Sequence, residues 1–290
     1  MKTDLIKPDF IIAGAPKTGT SSLARYLNLV QNISCVTTVE DGGEPHYFSN
    51  RYSRGHEWYS GLFESFVKEN IYGEKSVSYM VVAQSAKRIK EYCPDVKLIF
   101  LLRNPVDRAY SQYKANIQRG TDFLSFESAI RFEKLRTFFF KNNYLYVKRG
   151  EYANYLKPYF ELFPRENILI LLTEELLNEP IKTLRIVCKF LKCQADINES
   201  FNLDKQFNVS KVPKYSLLNF PITIYKKYIS HRLKAGFLDK IILNLEKKNL
   251  LETKFPKMKS TTRQKLLKFY KPHNEELIRI TGIDISSWEK

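Results

Sequence analysis

The sequence of 290 residues lacks any long apolar run. No stretch approaches the ~20 consecutive apolar residues that a membrane-spanning helix needs. Residues 1–9 lead into the first short apolar run without the hydrophobic segment or cleavage site of a signal peptide. The sequence therefore predicts no transmembrane helix, and we expect a cytoplasmic protein.

The sequence is also poor in cysteine, with four residues at Cys35, Cys93, Cys188 and Cys193. Their spacing has neither the pattern nor the companion ligands of a zinc site, so we expect free, mostly buried thiols. Internal repeats and low-complexity linkers are absent as well. The length allows one large α/β domain or two small ones, and we expect a single domain over residues 1–290.

Acidic residues are too few to balance the basic ones, because 31 Asp and Glu face 47 Lys and Arg, for a net charge of +16. Residues 205–290 supply most of this excess. Such a surface attracts a polyanionic nucleotide, an acidic glycan, anionic lipid or nucleic acid. No nucleic-acid-binding motif accompanies it, so we expect no nucleic-acid partner. Aromatic residues recur at helical spacing beside lysines in 216–251, which favours a helical insertion docked on the core over one on a membrane or acceptor.

The most informative stretch begins with the apolar run Phe10–Ala13, which is typical of a buried parallel strand. Gly14, Pro16 and Gly19 then break the run, and hydroxyl residues follow at the start of an amphipathic helix. Backbone amides and the positive end of the helix dipole therefore point into the turn. The pattern predicts an anion-binding site.

The two glycines, Gly14 and Gly19, have the spacing of a nucleotide-binding P-loop, but Thr20 stands where that motif requires lysine. The nearby ammonium is Lys17. The run Pro16-Lys-Thr-Gly-Thr20 resembles the 5′-phosphosulfate loop of sulfotransferases that use 3′-phosphoadenosine 5′-phosphosulfate (PAPS). The resemblance implies that the donor is held by Lys17, Thr18, Gly19, Thr20, Ser21 and Ser22, and that Lys17 neutralises its bridging oxygen.

A second apolar strand, Lys97–Leu102, is followed by Arg103 rather than by the aspartate that a Mg²⁺-dependent nucleoside triphosphatase (NTPase) needs. The guanidinium of Arg103 and the hydroxyl of Ser111 suit a terminal phosphate. Together with Pro105, Arg108 and Tyr113, they fill the pattern R-x-P-x-x-R-x-x-S-x-Y, which binds the 3′-phosphate of PAPS in sulfotransferases. We therefore expect metal-free transfer.

The segment Glu44-Pro-His-Tyr-Phe48 resembles the E-x-[HQ]-F-F element of heparan-sulfate sulfotransferases, whose glutamate deprotonates the acceptor. The resemblance makes Glu44 the first candidate for the base and His46 the second. Gly73–Tyr79 is similar to the family's E-K-[ST]-x-x-Y element, so Lys75 is either a contact to the transferring group or an exposed turn lysine. Lys211 and Lys214 stand where the family has a late basic loop over the donor.

These observations predict an α/β fold: a P-loop-like, three-layer domain with a central parallel sheet and helices on both faces. The resemblance implies a PAPS-dependent sulfotransferase that acts on a hydroxyl or amine of a carbohydrate, lipid or small natural product. A small-molecule kinase or other NTPase is one alternative, and a noncatalytic basic nucleotide-binding or membrane-associated module is another. The residues do not indicate the acceptor or the oligomeric state.

Overall fold

A computed structural model describes residues 5–66, 71–140, 144–194, 197, 212–213, 241–242, 244–245, 250–251, 255 and 257–289. Its strands are β1 (Phe10–Gly14), β2 (Ile33–Val36), β3 (Ile71–Lys75), β4 (Lys97–Leu102), β5 (Ile168–Leu172), β6 (Val212–Pro213) and β7 (Leu250–Leu251). Its helices are α1 (Thr20–Leu27), α2 (Gly55–Gly61), α3 (Ser85–Tyr92), α4 (Pro105–Gln118), α5 (Phe126–Arg131), α6 (Glu133–Phe140), α7 (Tyr152–Leu162), α8 (Thr173–Asn178), α9 (Pro180–Phe190) and α10 (Ser260–Thr281).

The central sheet has five strands in the order β2-β3-β1-β4-β5, and every pairing in it is parallel. Phe10 pairs with Gly73 on one side of β1 and with Lys97 on the other. A Cβ atom at Gly73 would lie 2.2 Å from the Phe10 carbonyl oxygen, so this position accepts only glycine. The buried middle strand therefore has its carboxyl end beside those of β3 and β4.

Alternate residues of the buried strands point to opposite faces of the sheet. Ile11, Leu98 and Phe100 pack in one core cluster with residues of α2, α3 and α7, whereas Phe10 and Ile99 pack in a second cluster with residues of α1, α8 and α9. The result is three layers, which confirms the predicted fold class.

The chain divides into two compact units. The first contains Met1–Asn104, Glu151–Phe207 and Lys271–Lys290, including the whole five-stranded sheet. The second contains Pro105–Gly150 and Asn208–Tyr270. It has its own buried cluster, with Val106, Phe126 and Tyr146 among its members. The expectation of a single domain stays a prediction.

The polar, aromatic segment 49–66 contains helix α2. The aromatic-rich segment 121–149 contains the two short helices α5 and α6. Most of 216–251, the expected helical insertion, lies outside the described residues, and so do Lys211 and Lys214. No helix in the described part of the chain is both long enough and apolar enough to cross a bilayer. All four cysteines are free, and three are buried.

Candidate active site

The turn between β1 and α1, residues Gly14–Thr20, is here called the phosphate turn. Lys17 and Gly19 both adopt the left-handed backbone region, with φ values of 71° and 94°. Gly19 is the N-cap residue of α1 and bonds the helix with its carbonyl group, because the Ser22 and Leu23 amides both donate to it. The first amides of a helix have no partner inside it. The phosphate turn can therefore present amides to an anion.

Bonds to neighbouring strands fix the phosphate turn. The Ala15 amide donates to the Leu101 carbonyl over 2.9 Å, and the Thr18 hydroxyl donates to the Ala15 carbonyl over 2.7 Å. The Thr173 hydroxyl lies 2.6 Å from the Thr18 carbonyl oxygen and 2.8 Å from that of Leu102. Thr18 is fully buried and its hydroxyl is used internally. The hydroxyl of Thr18 is therefore engaged inside the turn and is not available to an anion.

Lys75, the last residue of β3, connects Glu44 to the start of helix α1, directly after the phosphate turn. The Lys75 ammonium donates to Glu44 Oε1 over 2.6 Å and to Ser21 Oγ, in the first turn of α1, over 3.0 Å. The Val77 amide donates to Glu44 Oε2 over 2.8 Å. Because Lys75 is only 4% exposed, the alternative of an exposed turn lysine is wrong. One ammonium thus links the candidate base to the predicted donor site.

His46 lies on the other side of the Glu44 carboxylate. Its Nε2 is 3.8 Å from Glu44 Oε2, and its Nδ1 is 2.7 Å from the Ser78 hydroxyl, which lies 2.7 Å from that of Ser49. Burial lowers the pKa of His46, and the positive charges of Arg51 and Lys75 act in the same direction against the opposing effect of Glu44. The imidazole is therefore neutral near pH 7. Glu44, His46, Lys75 and Ser78 are called the Glu44 cluster below.

A fully buried carboxylate, that of Glu74, is connected to this cluster through Ser76. It accepts hydrogen bonds from Tyr59 over 3.0 Å, from Tyr79 and from the Ser76 hydroxyl over 2.5 Å. Burial raises the pKa of Glu74 to about 7 against these bonds. The Ser76 oxygen in turn accepts the His46 amide over 2.8 Å. His46 has a positive φ of 51°, and this bond fixes that conformation.

Arg51 holds the loop that carries Glu44. Its guanidinium donates to the carbonyl oxygens of Gly42, Glu44 and Pro45 over 3.0, 3.1 and 3.4 Å. These carbonyl groups belong to a loop without helix or strand bonds, so Arg51 replaces the pairing that regular structure provides.

Arg103 follows β4 directly, and β4 is the neighbour of β1 in the sheet. Its carbonyl oxygen accepts the Tyr152 hydroxyl over 2.8 Å. Ser111 is half-buried in α4, in the second unit. Arg108, also part of the predicted phosphate pattern, is fully buried and donates to Gln112 and to the Tyr146 carbonyl oxygen. Arg108 is thus a structural residue of that unit.

A family model for the sulfotransferase domain matches residues 7–268, which include the phosphate turn, the Glu44 cluster and Arg103. The chain belongs to the sulfotransferase domain family. This match confirms the family that the sequence motifs indicated. The matched residues include every element that ends at the carboxyl edge of the sheet.

Relatives within the family cover nearly all of the chain. Mouse heparan sulfate glucosamine 3-O-sulfotransferase 3B1 is 28% identical over 282 residues, which are 97% of this chain and 65% of the mouse protein. Human heparan sulfate glucosamine 3-O-sulfotransferase 6 is 30% identical over 203 residues, 69% of this chain and 57% of the human protein. The chain thus spans less than two thirds of the length of these relatives.

Among solved structures, a sulfotransferase from Alicyclobacillus acidocaldarius is 26% identical and superposes with a TM-score of 0.69, covering 98% of this chain and all of the bacterial one. The likeness extends over the whole sheet and its flanking helices, so the P-loop-like fold is that of a sulfotransferase.

Sequence reasoning missed four residues of this site: Ser49, Arg51, Ser76 and Ser78. Two of them, Ser76 and Ser78, alternate with apolar residues just after β3 and lie within the predicted E-K-[ST]-x-x-Y element. Hydroxyl residues at the carboxyl end of a buried strand are a local signal that could have indicated them. Arg51 gave no such signal, since its bonds depend on the fold of the loop.

Proposed function

We propose that the chain transfers a sulfuryl group from PAPS to a carbohydrate hydroxyl, with Glu44 as the general base. The observation that carries this proposal is the Lys75 ammonium, which bonds both Glu44 and Ser21 at the start of α1. A group that removes the acceptor's proton and a site that holds the donor are thereby adjacent. The names of the relatives support a sugar as the acceptor.

The residues of this edge support PAPS as the donor. The amides at the start of α1, with Lys17, Ser21 and Ser22, would hold its 5′-phosphosulfate, and Arg103 would contact its 3′-phosphate, to which the sequence motif also assigns Ser111. The donor supplies an activated sulfur and leaves as adenosine 3′,5′-bisphosphate. In the reaction, the acceptor oxygen bonds to sulfur, the bond from sulfur to the donor phosphate breaks, and the acceptor's proton goes to Glu44.

Each polar group of the cluster has a separate task in this proposal. Lys75 holds Glu44 in place and offers positive charge where negative charge develops. His46, neutral and bonded to Ser78, flanks the second oxygen of Glu44. Each carboxylate oxygen can accept more than one hydrogen bond, so the contacts to Lys75 and Val77 leave Glu44 able to accept the acceptor's proton.

Calorimetric titration tests the donor site. Adenosine 3′,5′-bisphosphate should bind without Mg²⁺ and more tightly than ADP, and Arg103→Ala should weaken this binding by about 10- to 100-fold, because it removes a charged hydrogen-bond donor. Lys87→Ala, on the exposed side of α3, removes the same charge and should change little. A Mg²⁺-dependent preference for ADP would support the kinase alternative instead.

Transfer of labelled sulfate from PAPS tests the acceptor class. We expect incorporation into glucosamine-containing oligosaccharides, and loss of incorporation in Glu44→Gln while bisphosphate binding persists. Labelling of a phenol or a lipid, but of no sugar, would keep the sulfotransferase assignment and reject the carbohydrate acceptor. Bisphosphate binding without transfer to any of these would favour a noncatalytic module.

A further inference from the structure

Helix α6 is inverted: its charged side chains point into the second unit and its apolar side chains point out. Glu133 is 6% exposed, and the side chain of Arg136 is 14% exposed. On the opposite side, Leu135 is 58%, Phe138 84% and Phe139 66% exposed. Residues three and four apart share a helix face, so these sets form two opposite stripes. A helix on a protein surface ordinarily has the reverse arrangement.

The inward contacts show that this orientation is specified. The Glu133 carboxylate accepts the Val147 and Lys148 amides over 2.7 and 3.0 Å. Arg136 pairs with the fully buried Asp122 over 2.8 Å and lies over the Tyr144 ring. Turning the helix to bury its phenylalanines would break the buried ion pair and leave the charge of Asp122 without its arginine, which is strongly destabilising. The outward apolar stripe is therefore built into the fold.

The apolar stripe begins one residue before α6, at Phe132, which is 46% exposed and shares the helical spacing of Leu135 and Phe139. Within residues 131–139, the exposed charged side chains, Arg131 and Lys134, are both basic. An apolar stripe flanked by arginine and lysine is the composition of a segment that lies in the interface of an anionic membrane.

We propose that this surface, defined by Phe132, Leu135, Phe138 and Phe139, docks the protein on an anionic lipid bilayer. The phenylalanines would enter the headgroup region, and Arg131 and Lys134 would contact lipid phosphates. A second copy of the chain fits less well. In a two-fold symmetric dimer, the basic side chains of one copy would face those of the other. In addition, a helix about 12 Å long is too short for the roughly 800 Å² per partner of a stable interface.

Co-sedimentation with vesicles tests the proposal on the full chain. We expect binding to vesicles of phosphatidylcholine with 30% phosphatidylglycerol, roughly proportional to the share of anionic lipid and weaker at high salt. The double variant Phe138→Ser/Phe139→Ser should bind at least about 10-fold more weakly, since it removes the two most exposed rings from the interface. Arg131→Glu/Lys134→Glu should lose binding to anionic vesicles in particular.

A matched control replaces two exposed apolar residues elsewhere, Leu162→Ser/Ile186→Ser, at 38% and 40% exposure, and should bind as the wild type does. Far-UV circular dichroism and urea unfolding verify that each variant is folded. Vesicle binding requires neither the donor nor sulfuryl transfer, so its outcome is independent of the proposed function. A wild type that does not bind anionic vesicles, or a Phe138/Phe139 variant that binds as tightly, overturns the proposal. A wild-type dimer that this variant converts to a monomer assigns the surface to a second copy instead.

Discussion

The phosphate turn and the Glu44 cluster belong to the same edge of the sheet, and they are held by different kinds of bonds. The phosphate turn is held through its main chain: Gly19 has a φ of 94°, and carbonyl oxygens of the turn accept from the Ser22 amide and from the Thr18 and Thr173 hydroxyls. The Glu44 cluster is held by bonds from side chain to side chain, those of Glu44 to Lys75 and of His46 to Ser78. Substitutions of side chains should therefore affect the cluster more than the turn, and changes of backbone freedom should do the reverse.

The largest expected effect is that of Lys75→Met on the cluster. This change removes the ammonium between Glu44 and Ser21, and the loss of one preorganised donor lowers turnover by about 10²- to 10³-fold. Labelled-sulfate transfer measures the loss, and calorimetry should find bisphosphate affinity much less affected. Lys97→Met is the control, because Lys97 also bonds a side chain, Asn167, but at the opposite end of β4. Equal losses of turnover in both variants would mean that Lys75 has no special role, and an equally large loss of bisphosphate affinity in Lys75→Met would contradict the separation of the two regions.

The raised pKa of Glu74, the buried carboxylate next to the Glu44 cluster, should make the stability of the fold depend on pH. Burial raises the pKa of Glu74 from 4.5 to about 7, so the native state holds this proton more tightly than the unfolded state. The corresponding stability is complete below pH 4.5 and is lost as the pH rises through about 7. As the pH rises through this window, the free energy of unfolding of Glu74→Gln should therefore increase relative to that of the wild type, by a total on the order of a few kcal/mol.

Urea unfolding between pH 4.5 and 8 measures that shift. Glu91→Gln, an exposed residue of α3, should follow the wild-type profile. Parallel profiles for the wild type and Glu74→Gln would mean that the charge of Glu74 is as well accommodated in the native state as in water.

An intermediate effect is expected in the phosphate turn from Gly19→Ala. A side chain at a φ of 94° costs roughly 1–2 kcal/mol, and relief of this strain would move the amides at the start of α1. Bisphosphate affinity should fall by about tenfold. Gly282→Ala, at a φ of 70° with open space around it, carries the same backbone strain and should destabilise the fold without changing the affinity. If both variants bind equally well, the turn is not shaped by Gly19.

The smallest effect should come from Arg51→Met, which removes the bonds to the loop carbonyl groups. Because the positive charge of Arg51 lowers the pKa of His46, this pKa should rise, and stability should fall by about 1 kcal/mol. An NMR titration of the His46 imidazole follows the change. Arg54→Met is matched to it, since Arg54 also pairs with Asp41 but bonds none of these carbonyl oxygens. An unchanged His46 titration in Arg51→Met would mean that the charge of Arg51 does not act on His46 and that Arg51 only bonds the loop.

The two regions also differ in how far the sequence predicts them. The phosphate turn is encoded locally by an apolar run, two glycines and hydroxyl residues, so its position and chemistry were predicted from the residues themselves. The pairing of Glu44 with Lys75 joins residues on separate elements, and only the family resemblance indicated that both belong to the site. Ser49 and Arg51 were missed because a serine or an arginine in a polar loop carries no pattern of its own.

Tertiary contacts overrode local patterns in other parts of the fold. Strand β2 has four residues, and Ser34 interrupts any apolar run there, so its pairing with β3 was invisible before the sheet was known. The sequence alone does not distinguish the buried from the exposed aromatic residues of 138–146. In the structure Tyr146 is buried, whereas Phe138 is exposed because Glu133 and Arg136 occupy the inner face of α6. A buried ion pair decided the orientation of that helix.

The all-parallel sheet has a consequence for the order of folding. None of its strands pairs through a hairpin, and even the register pair closest in sequence, Ile33 with Ile71, requires closure of a long loop. Folding rates fall as contacts become less local. Strand β5, which begins at Ile168, must be in place before Thr173 can reach the Thr18 carbonyl oxygen. During synthesis, the phosphate turn therefore waits for Thr173, 155 residues after Thr18, to emerge before this contact can form.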